Sequence, residues 1–128
     1  MKKLLLSLAL LLGFVCAYAQ EIKIGEEIPV AAADILRPRL VQMLEAGGVA
    51  GVPLEVSARI VRKMETPGSM AQVALNIILE LRSGRVSEEF PLKGVGETEA
   101  DAWQRAMKQF LPKGKAVQAF IDKMKDSE

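Results

Sequence analysis

The side chains that could do chemistry are few, and their types narrow the field at once. The 128-residue chain contains no histidine, and its only cysteine and only tyrosine are Cys16 and Tyr18, both near the amino terminus. A Ser/His or Cys/His nucleophile pair is therefore impossible, and metal sites built on histidine or cysteine are excluded. Acid–base work would fall to paired carboxylates. Glu88 and Glu89 are neighbours in a stretch of alternating pattern, where adjacent side chains point to opposite faces, so they cannot share a proton. Gly94-Val95-Gly96 invites a phosphate-loop reading, but the third glycine of a dinucleotide fingerprint is missing. Glu97, Glu99 and Asp101 would also repel phosphate there, whereas they suit the positive end of a following helix. The expectation is a non-enzyme without cofactor or metal.

One surface remains for recognition. Arg59, Asn76, Ile78 and Glu80 fall on the polar-side phase of two adjacent strands, a mixed patch suited to a protein contact. Trp103 lies in an apolar stripe with Ala106 and Met107 and reads as core. The apolar surplus at Trp103, Phe110 and Phe120 also admits an alternative, a carrier with an apolar-ligand pocket between the last helices and the sheet.

The elements that must position these residues centre on Gln72 to Trp103. Val73, Leu75, Ile77, Leu79 and Leu81 recur at every second position and share one sheet face. Ser83-Gly84 reads as a two-residue hairpin loop, pairing Arg82 with Arg85. That register sets Leu81 against Val86, Ile77 against Phe90, Leu75 against Leu92, and Glu88 against Leu79. Pro91 cannot donate to a ladder, so the strand Arg85 to Lys93 belongs at an edge. A further strand opens after Pro53, with Leu54, Val56, Ala58 and Ile60 alternating with Glu55, Ser57 and Arg59.

Ahead of the strands, Asp34 is placed as the N-cap of a helix carrying Leu36, Leu40, Met43 and Leu44 on one face. Pro38 fits near its start and Gly47-Gly48 ends it. Gly94-Val95-Gly96 leaves the sheet, and Thr98 caps a helix with Ala102, Trp103, Ala106, Met107, Phe110 and Leu111. After Pro112 and Gly114, a last helix repeats the stripe with Ala116, Val117, Phe120, Ile121 and Met124. The expected fold is α+β: a helix, a three-stranded antiparallel meander, and two C-terminal helices packed on one sheet face.

Residues 1–19 read as a cleaved export signal: Lys2 and Lys3, an apolar run from Leu4 to Val15, and the small-x-small site Ala17-Tyr18-Ala19. Cys16 is not expected to carry a lipid anchor, because Gly13 and Val15 replace the Leu and small residue of a lipobox. Cleavage leaves 15 basic against 16 acidic residues, a net charge of −1, which argues against nucleic acid as partner. Residues 20–33 form a lead-in, in which Ile22 and Ile24 are compatible with a short edge strand, and 34–126 form one domain.

The helix ending in Gly47-Gly48, the run Ala71–Arg82, the Ser83-Gly84 turn and Lys93-Gly94-Val95-Gly96-Glu97-Thr98 leading into Ala102–Ala106 form a recognisable order. Between Asp34 and Met124 it resembles a group of exported bacterial proteins that includes the TolB amino-terminal domain and the penicillin-binding-protein activator lipoproteins. The resemblance implies an α/β envelope domain, periplasmic or secreted, that works by binding a protein or peptide. It carries no binding residue over to this chain.

Overall fold

The computed structural model describes residues 22–66, 68 and 71–126. Residues 1–19, expected to be an export signal, and Cys16 among them lie outside the described residues. In chain order the elements are β1 (Ile22–Ile24), α1 (Val30–Ala46), β2 (Leu54–Thr66), β3 (Gln72–Ser83), β4 (Val86–Gly96), α2 (Glu99–Lys108) and α3 (Lys115–Asp126). The strands lie side by side in that order as one sheet, with β2, β3 and β4 antiparallel. The class is α+β as expected, but the meander is only three of four strands. β1 adds to β2 in parallel, Ile22 opposite Leu54 and Ile24 opposite Val56, and α1 is the crossover that a parallel pair requires.

Helix α1 begins at Val30, a turn ahead of the Asp34 N-cap read from sequence; its N-cap is Pro29, whose carbonyl accepts from Ala33 at 2.9 Å. Alanines 31–33 are strong helix formers, and Ala32 is fully buried, so packing extends the helix past the polar cap signal. Pro38 therefore sits mid-helix rather than near the start. Asp34, whose carbonyl loses its partner, and Pro38 are both exposed, so water can serve that carbonyl. The helix ends in a Schellman cap. Gly48 takes a φ of +73°, Gly48 N–H donates to the Glu45 carbonyl at 3.1 Å, and Val49 N–H to Leu44 at 2.9 Å. Buried Val49 and Leu44 supply the apolar contact that accompanies this cap.

The β3–β4 hairpin keeps its faces but not its predicted register. Ser83 pairs with Val86, so the loop is Gly84-Arg85, with Gly84 at φ +61°. Leu81 faces Glu88, Leu79 faces Phe90, Ile77 faces Leu92 and Leu75 faces Gly94. The shift is two residues, which preserves the inward set. β4 is the edge strand that Pro91 demanded, but it runs to Gly96 instead of ending at Lys93. Phe90, Leu92, Gly94 and Gly96 alternate inward, and the two glycines let α2 approach the strand backbone closely.

β2 also outruns its expected length. A bulge at Val61 breaks the ladder between Ile60 and Arg62, and the strand continues to Thr66 with Ile60, Val61 and Met64 exposed. Around the inner sheet face, Leu75, Ile77, Leu79, Leu81, Phe90 and Leu92 join the buried stripes of all three helices in one core. Trp103 (5% exposed) and Phe120 (0%) form part of its cover, and Phe90 meets Phe110 edge-on at 5.5 Å.

Candidate functional site

Because every helix packs against the inner face, the outer face has no helical cover among the described residues. The period of two places the four recognition candidates there together. Arg59 is directly opposite Ile78, Ser57 opposite Glu80, and Arg62 opposite Asn76. Asn76, Ile78 and Glu80 follow one another along β3, each half-buried by its strand neighbours.

Two ion pairs tie charges on this face, one across strands and one within β3. Arg59 Nη1 reaches over the central strand to Glu89 Oε2 on β4 at 2.8 Å. Since adjacent strands lie about 4.8 Å apart, this pair spans β3 diagonally, from the position beside Ile78 on β2 to the position beside Glu80 on β4. Both side chains are more than half exposed, so the pair contributes less than about 1 kcal/mol to stability. Glu80 Oε1 accepts from Arg82 Nη2 at 3.4 Å. An open recess of about 240 Å³ lies beside them, lined by Lys23, Gly25, Glu55, Ser57, Glu80 and Arg82 among others. Lys23, Arg59, Arg62, Arg82 and Lys93 face outward against Glu55, Glu80 and Glu89, so the described face is net basic although the chain is nearly neutral.

The other candidates separate. Glu88 lies on the inner-face rim opposite Leu81, not Leu79, and accepts from Lys123 Nζ at 2.9 Å. Glu89 lies on the outer face with Arg59, so the two carboxylates diverge as their spacing requires. Gly94 and Gly96 lie under α2 within the sheet and form no loop that could cradle phosphate. The α2 amino terminus is closed by Thr98 Oγ1, which accepts from Asp101 N–H at 3.1 Å. Trp103, Phe110 and Phe120 are taken up in the core. Near them a recess of about 230 Å³ opens between Phe90, Leu92, Phe110 and Val117, with Leu111 exposed at its rim.

Sequence reasoning missed the far half of β2. Its signal was the loss of alternation after Ile60, where Val61 and Met64 stand among Arg62, Lys63 and Glu65. There Lys63 Nζ meets Glu65 at 3.2 Å and Glu99 at 3.4 Å. Hydrogen bonds and charge from these two carboxylates, Glu65 first, raise the Lys63 pKa above its ordinary 10.5. Comparison of the chain with protein-family models and with curated proteins gives no match.

Proposed function

We propose that this chain is a non-enzymatic, exported accessory module of the cell envelope that binds a protein or peptide through its outer sheet face. The observation that carries the reading is the placement of Arg59, Asn76, Ile78 and Glu80 on one uncovered face, next to a charged recess. An apolar side chain ringed by partly exposed charges is the composition of a small contact surface, with the apolar centre excluding water and the rim setting orientation. The net basic character of the face favours an acidic partner segment. Export rests on the amino-terminal pattern Lys2 to Ala19 and on the resemblance to secreted envelope domains.

A photo-crosslinking residue placed at Ile78 and, as a control, at exposed Val30 on α1 tests the proposal in cells. A discrete adduct from position 78 alone, weakened by Arg59→Glu at unchanged melting temperature, supports it. Identical adduct patterns from both positions would remove the basis for assigning the contact to this face. Fractionation of the same cells tests export: retention of the uncleaved chain in the cytoplasm contradicts it.

A further inference from the structure

The two margins of the sheet are finished differently. On β4, Lys93 N–H points away from β3 and donates to Gln109 Oε1 of the α2 C-cap at 3.2 Å. Pro91, in the same phase, has no N–H to offer. On the other margin, β1 covers only Leu54, Glu55 and Val56 of β2. Gly25 N–H then donates to the Val56 carbonyl at 2.8 Å, and Ala58 N–H donates to Glu27 Oε1 at 3.1 Å. From Ile60 to Thr66 no group among the described residues bonds the outer backbone edge of β2. Val61 and Met64 stand 61% and 51% exposed along it. An edge with free amides and apolar side chains is a template for another strand.

We infer that this edge pairs with the same stretch of a second copy, antiparallel, about a two-fold axis through Met64. The inference does not depend on the outer-face contact. The bulge at Val61 puts Ile60 out of phase with Arg62 and the residues beyond, so an in-phase partner can lie only along Arg62–Thr66. A two-fold normal to the sheet keeps every side chain on its own face, so one residue must sit opposite itself. Centring on Lys63 or on Glu65 sets like charges face to face, which destabilises a cross-strand pair. Centring on Met64 places Lys63 opposite Glu65 of the second copy twice, with Met64 against Met64 and Arg62 against Thr66. Charge complementarity thus selects one register. Lys63 already holds Glu65 and Glu99 of its own chain, and a third ammonium N–H remains for the copy.

Sedimentation velocity of the purified protein from micromolar to millimolar concentration reads the association directly, and a concentration-dependent dimer is expected. Met64→Cys, in a Cys16→Ser background, should cross-link under mild oxidation, because directly opposed Cα atoms lie about 4.5–5.5 Å apart, within disulfide range. Arg62→Cys should not, since its two copies would be about 13 Å apart along the strands. Lys63→Glu or Glu65→Lys alone should weaken the dimer by roughly tenfold, and the double exchange should restore it. A monomer at every concentration, equal cross-linking at both positions, or a double exchange that fails to restore would overturn the inference. So would a chain that stays monomeric alone but gains a strand from an extended peptide of another protein.

Discussion

Gly94 of β4 lies against the backbone of Ala102 in α2: a methyl group at Gly94 would fall on the Ala102 carbonyl oxygen and 2.6 Å from the Ala106 amide nitrogen. Neither obstacle is a side-chain end that could swing aside. Gly94→Ala is therefore expected to cost about 3 kcal/mol or more, since the helix must retreat from a close-packed strand. Urea denaturation checks this. Gly114→Ala, where the added methyl meets nothing within 4 Å, serves as control and should stay within about 0.5 kcal/mol.

Gly48→Ala makes the opposite kind of demand. There is open space around that position, but its φ of +73° is a conformation that a Cβ disfavours. The expected loss is about 1 kcal/mol, from backbone strain alone. Hydrogen exchange should show faster opening confined to the last turn of α1; uniform acceleration over the whole domain would point to a different cause.

Pro38→Ala should stabilise the protein. The exchange restores an N–H donor for the Asp34 carbonyl inside α1 and relieves the ring's clash with the preceding turn. Proline's smaller unfolded-state entropy offsets part of this, leaving a net gain of about 1–2 kcal/mol. A lower denaturation midpoint in the variant would show that the helix has adapted to the ring.

The Lys63 cluster predicts an alkaline sensitivity. Its pKa is raised in the fold by Glu65 and Glu99, so its contribution is complete below the ordinary value of 10.5 and is lost as pH rises through the raised one. Lys63→Met should flatten the alkaline limb of the stability–pH curve, and added salt should flatten it in the parent protein. Because the group is solvent-exposed, the change should be small, and an unaltered limb in Lys63→Met would contradict the assignment.

Arg59 and Glu89 should be dispensable for folding. A double-mutant cycle with alanine is expected to give a coupling below about 1 kcal/mol, vanishing at high salt. A larger coupling would mean that this diagonal pair braces the sheet.

The inner face was legible because Leu75, Ile77, Leu79 and Leu81 repeat at a period that only a half-buried strand needs, and the outer quartet around Ile78 followed from the same alternation. The hairpin register was not. Moving the pairing by two residues preserves both the loop length and the buried set, so hydrophobic matching cannot distinguish Ser83-Gly84 from Gly84-Arg85. The glycines at 94 and 96 hid the end of β4, since glycine weakens a strand by itself and only the close approach of α2 gives it purpose. β1 was ambiguous for a related reason: three residues carry little pattern, and their partner lies a whole helix away. The far half of β2 escaped because the bulge at Val61 resets the alternation from which strands are recognised.

Pro91 and the Gln109 carboxamide give the molecule a handedness of growth. With one flank of the sheet interrupted at Pro91 and Lys93, a chain that recruits a neighbour on the other flank offers only a broken ladder to a third. Assembly through backbone pairing would terminate at two subunits instead of propagating into a fibre, a useful property for strand-rich polypeptide at high local density.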